Sequence, residues 1–167
     1  YTGGYFTQAS GVPFTTGAWL LGTYKYGACN YEGEAFFTNQ VPCGAYRGYG
    51  NPQTNFPSEQ LIDRACSKLG IDPVEWRLKW HKGLGDDTWI LGFKYPSCAI
   101  DECITKGAEA IGWKEKRAKY ANQTGKKRCG VGVALATHTS GASPMLLEHT
   151  VVSVKVNEDA TAEVILN

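Results

Sequence analysis

Apolar positions recur along this chain at two spacings, and the change from one to the other divides it into three parts. In residues 1–53 they are scattered or alternate, in 54–128 they fall three and four apart, and in 129–167 they alternate again. Alternation marks one face of a strand, whereas three-and-four spacing makes a stripe along a helix. Residues 1–22 are rich in Gly, Thr and aromatic side chains and contain one short candidate helix over 14–21. In 26–39, Tyr31, Gly33, Ala35 and Phe37 alternate with Asn30, Glu32, Glu34 and Phe36, which predicts a strand ending at Thr38 and Asn39.

The middle part is the most regular. Phe56, Leu61, Ile62, Ala65 and Leu69 predict a helix from about Thr54 with one apolar stripe turned to the core; Pro57 suits its first turn and Gly70 its stop. Asp72 reads as the N-cap of a second helix with Pro73 at its first position, running to about His81, so two helices follow in tandem. Residues 82–96, with Gly83, Gly85, Gly92 and Pro96, read as loop. Ser97 then caps a third helix with Ile100, Cys103, Ile104, Ala108 and Ile111 on its apolar face and Asp101 and Glu102 at its positive end. The basic run over 114–127 reads as a solvated helix end and linker, because aromatic residues interleave it only at Trp113 and Tyr120.

In the last part Val131, Val133 and Leu135, then Val152, Val154 and Val156, then Ala162, Val164 and Leu166 alternate with small or polar residues, which predicts three strands. Residues 157–160 form the turn of a hairpin between the last two, and 137–144 a longer loop between the first two. This order predicts an α+β fold, with helices on one face of a mostly antiparallel sheet, the whole chain 1–167 acting as one unit.

Composition narrows the class. The chain has 167 residues, 43% hydrophobic and 20% charged, with a formal net charge of +1. That fits one globular unit and gives no electrostatic reason to bind nucleic acid or a membrane surface. No apolar run is long enough to span a bilayer. The sequence opens without Met and its one methionine is Met145, as expected for a processed or internal piece of a longer protein. The six cysteines are widely spread with no CxxC pair, so reduced, mostly buried thiols in a cytoplasmic protein are expected, and a zinc site is not.

Between the first two parts lies the loop 41–53, Val-Pro-Cys-Gly-Ala-Tyr-Arg-Gly-Tyr-Gly-Asn-Pro-Gln. Gly44, Gly48 and Gly50 permit positive φ, and Pro42 and Pro52 interrupt pairing, so the segment is a shaped loop that presents Arg47 and Tyr49. It matches neither phosphate-binding glycine pattern: Gly48-Tyr-Gly50 lacks a third glycine and a P-loop lysine. Ser140-Gly-Ala-Ser143 is not a nucleophile elbow. His138 and His149, with Glu148 nearby, read as structural histidines at strand ends.

The run Thr38-Asn-Gln-Val-Pro-Cys-Gly-Ala-Tyr-Arg-Gly-Tyr-Gly-Asn-Pro-Gln53, then Glu59, then Leu69-Gly-Ile-Asp-Pro-Val-Glu-Trp-Arg-Leu-Lys79 resembles the molybdenum-cofactor-binding subunit of the xanthine dehydrogenase and aldehyde oxidase family. The segments 97–113 and 129–135 continue the resemblance in order, so it spans nearly the whole chain. It implies a partial molybdopterin-binding domain from a molybdenum hydroxylase, which oxidises an N-heterocycle or an aldehyde and passes electrons to iron–sulfur clusters and FAD on partner subunits or domains. By this resemblance Ala45, Tyr46, Arg47 and Gly48 lie beside the cofactor, Tyr49 meets a planar substrate, and Leu146 belongs to a second pocket wall. The metal is expected to take no ligand from the protein.

Relatives that use a molybdenum–copper centre carry a cysteine directly after the loop arginine; here that position is Gly48, and Cys43 does not replace it. The family's glutamine-containing cofactor loop and its general-base glutamate are expected outside these residues, so the stretch alone is expected not to turn over. Two other readings stand beside this one. A reductive dehydroxylase of aromatic thioesters in the same family would have similar loops, and a non-enzymatic module could use Tyr46, Arg47 and Tyr49 to stack single-stranded nucleic acid.

Overall fold

The computed structural model describes residues 2–5, 8–88, 92–138 and 151–166. In order they form a 3-10 turn (Gln8–Gly11), α1 (Val12–Thr23), α2 (Asn51–Leu69), α3 (Pro73–Trp80), α4 (Ile100–Ile111), α5 (Trp113–Tyr120), β1 (Val152–Val156) and β2 (Ala162–Leu166). The fold is α+β.

The tandem joint is built as its sequence dictates. Gly70 closes α2 in the left-handed region, and the Asp72 carboxylate accepts hydrogen bonds from the N–H groups of Val74 (2.7 Å) and Glu75 (3.2 Å), capping α3. The same carboxylate also accepts the Trp113 indole N–H at 2.9 Å, which ties the start of α5 to the start of α3. Around that tie lies an apolar core of Val74, Ile104 and Trp113, with Leu78, Ile100 and Ala108 packed against it.

Val131, Val133 and Leu135 cover the same core while Gly130, Gly132 and Ala134 face outward, so the expected alternation is present. This segment is extended, yet it joins no ladder among the described residues. The segment 26–39 bends at Gly27, Ala28 and Asn39, and one bridge, Gly3 with Phe37, stands where the strand was predicted. β1 and β2 pair antiparallel, Val154 opposite Val164, through the expected turn, and all ten of their residues are exposed.

Two further expectations change. The third helix starts at Ile100, after an Ala99 cap that makes no side-chain hydrogen bond, rather than from Ser97. All six cysteines are free thiols, but only Cys66 is buried; Cys29, Cys103 and Cys129 are exposed. No helix among the described residues is long and apolar enough to cross a membrane.

Candidate functional site

The loop 41–53 is clamped at both ends. On one side residues 2–4 pair with its approach: Thr38 N donates to Gly3 O (3.1 Å), Gly4 N to Gln40 O (3.0 Å) and Cys43 N to Thr2 O (3.1 Å). Gly3 holds φ +83 there, and a Cβ would overlap the Pro42 backbone, so the close pass needs glycine. On the other side the chain enters α2 at Asn51, three residues before the expected start.

Between these clamps the backbone bends sharply. Arg47 holds φ 45 and Gly48 φ 111, and Gly50, the residue before α2, holds φ 85. A left-handed arginine costs on the order of 1 kcal/mol or more, and such outliers concentrate where a loop must present something. Ala45, Tyr46 and Arg47 are exposed, Tyr46 at 94%. The N–H groups of Ala45, Tyr46, Arg47 and Gly48 donate to no group among the described residues. The result is a projecting bend of open amide donors with one guanidinium. A cavity of about 250 Å³ lies beside it, with Thr2, Ala9, Glu34, Cys43, Gly44 and Gln53 in its walls.

Beneath the bend, α1 is the plate. The buried Trp19 donates its indole N–H to Tyr49 O (3.0 Å), and Thr16 Oγ1 donates to Gly50 O (3.3 Å). Gly50 lies so near α1 that a Cβ would come within 2.5 Å of Thr15 Oγ1 and 2.7 Å of Thr16 N. Tyr49 is half-buried, the hydroxyl end of its ring against Gly11, where a Cβ would strike the phenol oxygen. On the far side the segment 137–138 reaches the same plate. Asn51 Nδ2 donates to Thr137 O, Thr23 Oγ1 lies 3.0 Å from Thr137 Oγ1, and the His138 ring stacks on Trp19 with centroids 4.9 Å apart.

Behind this plate sits a buried ionic junction that the hydrophobic pattern did not reveal. Glu59, on α2, accepts the Tyr24 hydroxyl at 2.6 Å on one oxygen. Its other oxygen accepts Arg77 Nε (3.0 Å), Arg77 Nη2 (2.7 Å) and the backbone N–H of Leu135 (3.0 Å). Arg77, on α3, is fully buried; it also donates to Pro73 O (3.1 Å) and pairs with Asp63 at 3.0 Å. Burial opposes its charge, yet the hydrogen bonds and charge of Glu59 hold its pKa above the ordinary value. Burial, with the Glu59 hydrogen bond, pushes the Tyr24 phenol up. One carboxylate thus joins the C-cap of α1, α2, α3 and the 131–137 segment. Glu59 and Asp63 stand four apart on α2, the spacing of one helix face, and that pair of carboxylates is the signal that could have found the junction.

Of the residues expected at the site, Ala45, Tyr46, Arg47 and Gly48 come together in the bend and Tyr49 lies directly behind it. Leu146 lies outside the described residues, as do Glu148 and His149. His138 belongs to the support of the loop through Trp19.

Known proteins resemble this chain over most of its length. Residues 1–81 match the family model for the molybdopterin cofactor-binding domain. The xanthine dehydrogenase molybdenum-binding subunit of Escherichia coli O157:H7 is 36% identical over 163 residues, 98% of this chain and 22% of that protein. The 6-hydroxypseudooxynicotine dehydrogenase complex subunit gamma of Paenarthrobacter nicotinovorans is 28% identical over 149 residues, 83% of this chain and 19% of that protein. Among solved structures, the aldehyde oxidoreductase from Desulfovibrio gigas superposes with a TM-score of 0.77 at 26% identity, over 98% of this chain and 18% of that one. The chain thus spans about a fifth of the length of these relatives, and it belongs to the xanthine dehydrogenase and aldehyde oxidase family of molybdopterin cofactor-binding proteins.

Proposed function

We propose that this chain forms one wall of a molybdenum hydroxylase site, in which the bend 45–48 contacts the molybdopterin cofactor and the full subunit oxidises an N-heterocycle or an aldehyde. The observation that carries the reading is the bend itself, with four open backbone N–H donors and the Arg47 guanidinium presented together. Such a donor set fits an anionic, oxygen- and sulfur-rich group, because backbone amides without protein partners and a permanent cation favour negative charge. When bound, the cofactor supplies the oxygen-transfer and two-electron chemistry.

The residues of this chain then bind and orient. Ala45, Tyr46 and Gly48 offer main-chain donors, and Arg47 balances charge. Tyr49, its phenol end against Gly11, offers an aromatic surface to a planar substrate, and Leu146 is assigned to a second pocket wall. Proton removal is assigned to a carboxylate from another segment of the full subunit. Names of relatives such as "molybdenum-binding subunit" and "complex subunit gamma" support electron-carrying partners, which we assign as iron–sulfur and flavin subunits or domains of a cytoplasmic complex. Metal and pterin analysis of the full subunit, isolated with its partners, tests the reading. Near-stoichiometric molybdenum, with reduction of an artificial acceptor by xanthine or by an aromatic aldehyde, is expected. A preparation that is folded and active on neither substrate would remove the proposed reaction.

A further inference from the structure

We infer that Trp19 is a positioning residue for the cofactor-facing bend, fixing it to the 137–138 segment through α1. The inference rests on the proposed function. Trp19 is 5% exposed and uses both of its chemical features in different directions. Its N–H holds the carbonyl of Tyr49, two residues after Arg47, and its ring face holds the imidazole of His138 at an interplanar angle of 18°. Tyr49 O is a main-chain atom, so its bond restrains the backbone at the exit of the left-handed turn and not one mobile side chain. Thr16 restrains the next carbonyl, Gly50 O, from the same helix.

Asn51 closes the arrangement from the other side. It is the first residue of α2, directly after the bend, and its amide donates to Thr137 O. The bend and the 137–138 segment are therefore held against each other by two independent ties, one through Trp19 and one through Asn51. Neither side chain projects from the bend with Arg47. Each can move the exposed amides of 45–48 only by moving the backbone that carries them. Misplacing a binding group by about 1 Å costs roughly a hundredfold in rate, so loosening either tie should reach the reaction without removing the cofactor.

The test uses the full subunit with its partners. Trp19→Phe keeps a ring to stack on His138 and removes the N–H; Asn51→Asp keeps shape and helix start and removes the amide donor to Thr137 O. The expected result is a folded protein that retains its molybdenum, with a displaced or broadened electron paramagnetic resonance spectrum of the half-reduced metal and a roughly tenfold to hundredfold lower kcat on xanthine. If Trp19→Phe fails to fold, the spectrum and kcat of Asn51→Asp decide. A folded variant with wild-type spectrum and wild-type kcat overturns the inference while leaving the proposed function intact. Wild-type subunit that contains no molybdenum instead overturns the proposed function on which the inference stands.

Discussion

The buried and exposed positions of α2 reverse the usual arrangement. Its buried residues are Asn51, Thr54, Glu59 and Cys66, whereas its large apolar side chains Phe56, Leu61 and Leu69 are 70%, 63% and 69% exposed. Polar groups can line a core when each finds a partner, and Glu59 meets that condition with four donors from three segments. Apolar groups impose no such condition and can face solvent singly. The difference teaches that apolar residues show where a helix could bury area, and that satisfied polar groups show where this one does.

The comparison can be broken most strongly at Arg77. Arg77→Ala leaves Glu59 buried with its strongest donors gone, and chemical denaturation of the purified protein should show a loss of about 3–5 kcal/mol. A loss near zero would mean that the junction contributes little and that the buried and exposed positions of α2 differ only in composition. A smaller effect is expected at the tandem joint. Asp72→Ala removes the α3 cap and the acceptor for Trp113, and a thermal melt should register a cost of about 0.5–2 kcal/mol.

Alkaline pH probes the same junction through Tyr24. The pKa of Tyr24 lies above its ordinary value of 10.0, and burial raises Tyr26 and Tyr95 as well. Below pH 10 the folded and unfolded chains both keep these protons. Above it the unfolded chain releases protons that the folded chain retains, so stability should fall as pH rises. Denaturation midpoints between pH 8 and 11 (about one unit or more either side of the ordinary value) measure this. Tyr24→Phe should lower the midpoint at pH 8, through the lost Glu59 hydrogen bond, and flatten the alkaline decline. The smallest effect is expected at the exposed apolar positions, where Leu61→Ser or Phe56→Ser should change stability by no more than about 0.5 kcal/mol. A larger loss in a longer form of the subunit would show that these positions are covered there.

Features governed by local chemistry were legible in the sequence. Gly70, Asp72 and Pro73 specify the joint between α2 and α3, and the turn 157–160 specifies the hairpin, because caps and turns depend on a few adjacent residues. The loop 41–53 was legible for the same reason as far as Gly50, since glycine and proline placement favours irregular backbone there, although its expected last residues 51–53 are the first turn of α2. Features that depend on distant partners were not. α2 starts at Asn51 because Gly50 can pass against α1, and Pro57 lies inside the helix, where its missing N–H deprives only the Gln53 carbonyl. Ala45, Tyr46, Arg47 and Gly48 were named from a resemblance, and the bend that unites them needs φ values no periodicity encodes. Trp19 gave no local signal at all, as its partners Tyr49 and His138 lie 30 and 119 residues away.

The claim that the Arg47 bend grips the cofactor is tested most directly by the molybdenum content of Arg47→Ala in the full subunit, measured per folded polypeptide beside wild type. The account predicts a folded protein with most of its molybdenum lost. Wild-type molybdenum content with unchanged turnover would contradict it.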